Sequence, residues 1–172
     1  MILTNSVNVG SFVYCAVHQG PNKQSHYNNT GHGHCHLWSY IVSGSGHGTA
    51  SETQDGPTVF STDLVSGSLY DMRKIKDMYH HIKTFDEQMS FINFNPIPHT
   101  RNINVEVLKG PTTTEITAVD NRIVIVCITG PITANGKTLD DMQHAKLFPG
   151  KTAKLDLPIN SVIALVTEDS DN

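Results

Sequence analysis

The chain has 172 residues, of which 38% are hydrophobic and only 16% charged, with a net charge of -4. That balance describes one folded domain or two very small ones, and it excludes intrinsic disorder and a general electrostatic footprint for nucleic acid. No window approaches 18 consecutive apolar residues, and Met1 to Ser6 lacks the basic and apolar regions of a signal peptide, so a cytoplasmic protein without a membrane span is expected.

From the N-terminus onward, short runs rich in Val, Ile, Phe and Thr are separated by Gly, Pro, Asn or Asp, which is the pattern of β-sandwiches and barrels. Strands are expected at 11–17, 37–43, 58–64, 89–95, 103–108, 115–119, 122–129, 144–148, 152–157 and 161–167. Several alternate with period two: Ile103, Val105 and Val107 against Asn104 and Glu106, and Ala153, Leu155 and Leu157 against Thr152, Lys154 and Asp156. The Gly-rich stretch from Ser43 to His47 reads as a turn between strands. One segment is ambiguous, because Leu69, Met72, Ile75 and Ile82 recur near the helical period, with Ser68 and Asp71 placed like a capping box. Its alternatives are a helix, or a strand to Met72, a charged turn over 73–77 and a second strand from Met78 to Thr84.

Further on, Asn95-Pro-Ile-Pro98 is the best internal boundary, since closely spaced prolines do not continue a central strand. It divides the chain into 1–98 and 99–172. Thr112 to Thr114 reads as loop or edge strand. Asn135-Gly136 supplies the two positive φ values of a type I′ hairpin turn, and Pro149-Gly150 punctuates two more strands. The cysteines Cys15, Cys35 and Cys127 are widely spaced with no Cys-x-x-Cys pair, so neither a disulfide framework nor a thiolate zinc site is read.

Ten residues are histidine, and five of them lie between His26 and His47. The sharpest feature is Gly31-His-Gly-His-Cys-His-Leu-Trp-Ser-Tyr-Ile-Val-Ser-Gly-Ser-Gly46. On an extended strand His32, His34 and His36 share one face, continued by Trp38 and Tyr40, while Cys35 points away. Imidazoles two residues apart can reach a common ion, and neutral imidazole suits Zn, Cu, Fe and Ni. The alternative is a polar loop rich in His and Gly.

These residues resemble the first motif of the cupin family, in which Gly, five residues, His-x-His, three or four residues, Glu, six residues and Gly lie on adjacent strands of a jelly roll. His32-Gly-His34, four residues, Ser39, six residues and Gly46 fit that spacing. Ser39 stands where the family has its Glu ligand, and His26 stands where the opening Gly is expected. The family's second motif ends on a third His, and Gly67 to His80-His81 is loosely similar to it. The order of strands and turns after Pro98 is similar to a second cupin-like half, as in bicupins, with His144 but no His-x-His.

The resemblance implies an all-β double-stranded β-helix, or jelly roll, with a second cupin-like half. It implies a divalent transition metal (Fe, Mn, Ni, Cu or Zn) on His32, His34, His36 and His80, and an oxygenase, isomerase or lyase acting on a small polar molecule. Tyr40 is then the candidate proton donor, with a core aromatic as its other reading. The rival function is a non-catalytic jelly roll that binds a small ligand or serves in assembly, with a degenerate metal site. A third is metal storage or sensing by a His-rich loop. Exposed sheet edges lead to the expectation of a homodimer.

Overall fold

The computed structural model describes residues 2–9, 13–19, 24–29, 38–72, 78–84, 89–97 and 102–168. The histidines at 32, 34 and 36 and the charged turn expected over 73–77 lie outside these residues. The chain divides into two compact units, 1–8 with 14–101, and 9–13 with 102–172.

The first unit is built from β1 (Ile2–Val9), β2 (Val13–Gln19), β3 (Gln24–Asn29), β4 (Trp38–Ser43), β5 (Ser45–Ser51), β6 (Thr58–Val65), β7 (Leu69–Asp71), β8 (Met78–Thr84) and β9 (Ser90–Pro96). They form two sheets, in the orders β1-β2-β9-β4-β7 and β3-β8-β5-β6. The second unit comprises β10 (Ile103–Lys109), β11 (Thr112–Thr117), β12 (Ile123–Thr129), β13 (Ile132–Ala134), β14 (Lys137–Leu139), β15 (His144–Leu147), β16 (Thr152–Leu157) and β17 (Val162–Glu168). Its sheets run β10-β17-β12-β15 and β11-β16-β13-β14. Apart from the added β1, the strand orders of the two units match one for one, and each is the eight-stranded order of a jelly roll.

Local chemistry explains the elements. In β16 Thr152, Lys154 and Asp156 are exposed while Ala153, Leu155 and Leu157 are buried, as the alternation requires. β12 is buried along six consecutive residues, because both of its faces are covered, so it reads as one apolar run. The hairpin turn after β13 has Asn135 at φ 50° and Gly136 at φ 78°. The Asn135 side chain locks it, accepting from Lys154 N at 2.8 Å and donating to the Thr152 carbonyl at 3.3 Å. Gly150, at φ 83°, closes the turn in which Lys151 N donates to the Phe148 carbonyl at 3.0 Å.

Three readings are corrected or decided. Leu69 to Ile82 is not one helix: β7 pairs with β4, and β8 pairs with both β3 and β5. Tertiary pairing overrides the period, and Ser68 Oγ donates to the Val65 carbonyl at 2.6 Å, closing a turn instead of capping a helix. The turn read into Ser43 to His47 shrinks to Gly44 at φ 76°, and Gly46 and Gly48 are buried strand residues of β5. β9 also runs through Pro96 while lying between β2 and β4; as its last residue, Pro96 removes no interior rung of the ladder.

The two units can be aligned rung by rung. The pairing of β4 with β9 shifts between Ile41 and Ser43, and that of β12 with β17 between Cys127 and Thr129. Matching these bulges places Ser39 with Ile125, Ile41 with Cys127 and Asn93 with Leu165. Ser39 pairs with Tyr70 and Ile125 with Ala145, so those two correspond. Carried through the turns at Gly44 and Gly130, Gly48 matches Ala134. Gly48 pairs with Ile82 and Ala134 with Leu155, which aligns His80 with Ala153.

Candidate functional site

Residues directly opposite on paired strands share a face. Asn93, Ser39 and Tyr70 therefore form one row across β9, β4 and β7. The row lies on the side of the buried cluster of Ile41, Tyr70, Met72, Ile82, Met89 and Phe91. Ser39 and Asn93 are 0% and 1% exposed, and Ser39 Oγ donates to Asn93 Oδ1 at 2.6 Å. Two residues along β9 in the same phase, Asn95 Oδ1 is buried and has no hydrogen-bond partner among the described residues.

On the other sheet, His80 shares its face of β8 with Ile82 and is fully buried. Its Nδ1 lies 3.3 Å from Tyr70 Oη, and the two rings meet edge to face with centroids 6.3 Å apart. Burial pushes the Tyr70 phenol up to about 12, so it stays protonated at neutral pH. The Tyr70 ring crosses directly over Gly48: a Cβ there would stand 3.1 Å from both Cε1 and Cζ of Tyr70. Four polar residues thus meet inside the first unit. Their counterparts in the second unit, Ile125, Leu165, Ala145 and Ala153, are all apolar, and Ile125, Leu165 and Ala153 belong to its core cluster, with Ala145 packed against it.

Tyr40, the candidate proton donor, is in the opposite phase. It pairs with Ile92 and Leu69, is 3% exposed, and lies with Trp38 and Phe94 on the other face of its sheet, where burial raises its phenol. The structure does not bring Tyr40 to His80. His81 faces away from His80 and borders a shallow depression of about 200 Å³ with Thr49, Ser51, Asp55 and Thr58. His47 Nδ1 stands 2.8 Å from Asp63 Oδ1 at the surface. His144 lies on β15, where burial and then Lys146 lower its basicity.

The donor set does not fit a metal on the described residues alone. Among them no three His, Cys, Asp or Glu side chains gather. Ser39, at the place of the expected carboxylate, gives its hydroxyl to Asn93. His80 is the one candidate ligand described, and its Nδ1 lies within hydrogen-bond distance of the Tyr70 hydroxyl. The residues that sequence reasoning missed are Asn93, Asn95, Tyr70 and Gly48. A signal for the first two was present: polar Asn93 and Asn95 share a phase with Phe91 in a strand that also carries Ile92 and Phe94.

No family model matches the chain. No curated protein sequence matches it either. Solved structures do. YhhW from Escherichia coli superposes with a TM-score of 0.61 at 10% identity, over 94% of this chain and 82% of that one. A variant of oxalate decarboxylase from Bacillus subtilis gives a TM-score of 0.64 at 9% identity, over 95% of this chain and 70% of the other. Salicylate 1,2-dioxygenase from Pseudaminobacter salicylatoxidans gives 0.55 at 10% identity, over 92% and 71%.

Proposed function

We infer, for a chain whose fold is that of the cupins, that the first unit binds a small polar organic molecule against the row of Asn93, Ser39, Tyr70 and His80. One observation carries this reading: the same eight-stranded scaffold closes over apolar residues in the second unit, so the polar row of the first is not a requirement of the fold. Burying hydroxyls and amides costs free energy unless each is bonded, and Asn95 Oδ1 has no donor among the described residues. A ligand hydroxyl or amine supplies one. Ser39 and Asn93 hold each other in place, Tyr70 on the same sheet meets His80 of the other sheet, and the surrounding Ile41, Met72, Ile82 and Phe91 exclude water. Sites of this kind are mostly apolar with a few fixed polar groups.

Native mass spectrometry of gently purified, untagged protein tests the reading, followed by thermal shift against a panel of polyols, sugars and small carboxylic acids. A true ligand at a hundred times its Kd should stabilise by about 2.7 kcal/mol. The effect should vanish in Ser39→Ala with Asn93→Leu; a panel member that stabilises that variant equally would refute the interior site.

A second reading is favoured by the company of the fold, which includes oxalate decarboxylase, described with Mn(II) centres, and salicylate 1,2-dioxygenase. On it the protein is a metal-dependent oxygenase, isomerase or lyase, whose metal is Fe, Mn, Ni, Cu or Zn. Its ligands would come from His32, His34 and His36 with His80. Such an ion supplies Lewis-acid polarisation of substrate oxygen or activation of water or O₂. Near-stoichiometric metal in untagged protein, lost in His34→Ala, would establish this reading; metal-free protein of unchanged stability would end it. On either reading the protein is taken to be cytoplasmic and a homodimer.

A further inference from the structure

We propose that two copies of this chain join through β6, paired antiparallel with itself about a two-fold axis at Thr62, so that two sheets of the order β3-β8-β5-β6 become one. A contrast between the units carries this. Folded chains blunt exposed sheet edges with short strands, lysines, prolines or bulges. In the second unit the edge strand β14 has three residues and opens on exposed Lys137. Its counterpart β6 has eight residues, contains no lysine, arginine or proline, and leaves Val59 and Val65 56% and 55% exposed. The shift in its pairing with β5 skips Val59, so the bulge lies at one end and the strand is regular from Phe60 to Val65. Beyond Val65 the chain turns away, with Ser68 N donating to the Val65 carbonyl at 3.0 Å.

The side chains choose the register. Residues directly opposite on antiparallel strands share a face, so a two-fold axis across the sheet passes where one residue meets its own copy. An axis at Asp63 sets two carboxylates opposite each other, and one at Ser61 sets each Asp63 against Val59. An axis at Phe60 pairs only 58 to 62. At Thr62 every rung is complementary: Val59 meets Val65 of the second copy, Phe60 meets Leu64, and Thr62 meets Thr62. Ser61 then stands opposite Asp63, whose carboxylate, 81% exposed in the single chain, accepts from the Ser61 hydroxyl. The pairing rests on the homodimer taken above and adds to it a surface, a register and an axis.

Light scattering of the untagged full chain should give a dimer, and single cysteines should map its axis. Opposite residues stand about 4.5–5.5 Å apart at Cα, within reach of a disulfide, whereas diagonal ones stand about 7–8 Å apart, beyond it. Under mild oxidation Thr62→Cys should form a covalent dimer, while Ser61→Cys, Asp63→Cys and the wild type with its native cysteines should not. Ser61→Asp sets like charges opposite each other twice, and Ser61→Lys sets opposite ones, so the first should dimerise at least several-fold more weakly than the second. Equal dimerisation of these two variants, or cross-linking at 61 or 63 in place of 62, would overturn the proposed pairing while leaving a dimer standing. A monomeric wild type would overturn both, so the two failures are separable. If a cysteine variant does not fold, the comparison at Ser61 decides.

Discussion

Ser39 and Asn93 should behave as a coupled pair whose half-removal is worse than its full removal. They are 0% and 1% exposed and share a 2.6 Å hydrogen bond. Ser39→Ala deletes the donor and takes this hydrogen bond from buried Asn93, at a cost of about 1–3 kcal/mol. Asn93→Leu strands the Ser39 hydroxyl for a similar penalty. In the double variant both halves of the bond are gone, and apolar contact replaces it, as it does where Ile125 and Leu165 meet in the second unit. The summed single costs should therefore exceed the double cost by about 1 kcal/mol or more, the size of coupling that contacting residues show. The chain has a single tryptophan, Trp38, and it lies on β4 beside Ser39, so urea unfolding followed by its fluorescence reports on the first unit. With a slope of roughly 1–3 kcal/mol per molar urea, each single variant should lose about 1 M in its midpoint. Additivity to within about 0.3–0.5 kcal/mol would refute the pairing argument.

Three further outcomes are expected. Gly48→Ala ordinarily gains about 0.4–1 kcal/mol through the unfolded chain, but a Cβ 3.1 Å from the Tyr70 ring crowds a packed site, where overpacking costs about 1–3 kcal/mol; a net loss in the urea midpoint is expected, and a gain would show that the ring is not seated on Gly48. Alkaline pH should also weaken the first unit. Burial raises the folded Tyr70 phenol from the ordinary 10 to about 12, so the folded state holds a proton that the unfolded state releases; its contribution is complete below pH 10 and is lost as pH rises through 12. Tyr70→Phe should flatten that dependence in the Trp38 signal. Cys127 acts in the same direction in the second unit, its thiol pushed up to about 12 by burial and then by Asp141 and Asp140. Finally, β6 is an eight-residue edge strand with Val59 and Val65 exposed, whereas its counterpart β14 has three residues. Covering that edge predicts a homodimer by light scattering, and Val59→Lys with Val65→Lys should give a monomer; a wild-type monomer would remove the expectation.

The fold was legible because turn chemistry and period-two patterning are local. Asn135-Gly136 carries its own φ requirement, and Ala153, Leu155 and Leu157 announce their face without help from any other strand. Polar strands were not legible. β3 reads Gln-Ser-His-Tyr-Asn-Asn and β5 alternates Ser, Gly, His and Thr, so neither carries an apolar signal, and each is a strand because β8 pairs with it. The segment from Leu69 to Ile82 leaves helix and strands open for the same reason: its spacing is local, and its pairing partners are tens of residues away. At the site, the motif pointed to Ser39 as the departure from a carboxylate, but what Ser39 does depends on Asn93, 54 positions later. Alternation places Tyr40 with Trp38 and tells which residues share a face, but not which face meets the other sheet. Only the pairing of Ser39 with Tyr70 and the buried cluster around Ile41 settle that.

The second unit also shows how bulk is redistributed in the interior of the first. Relative to it, the first unit has smaller side chains on three strands, Ser39 for Ile125, Asn93 for Leu165 and Gly48 for Ala134. It has larger ones on two others, Tyr70 for Ala145 and His80 for Ala153. Bulk has thus moved toward β7 and β8, where the two rings brace each other, and away from β4 and β9, where the short polar side chains stand. Interiors are close-packed, so such a shift is tolerated only where something else fills the difference or the strands draw in. On the proposed reading, the ligand lies against Ser39, Asn93 and Asn95, whose short polar side chains leave the bulk to the Tyr70–His80 pair.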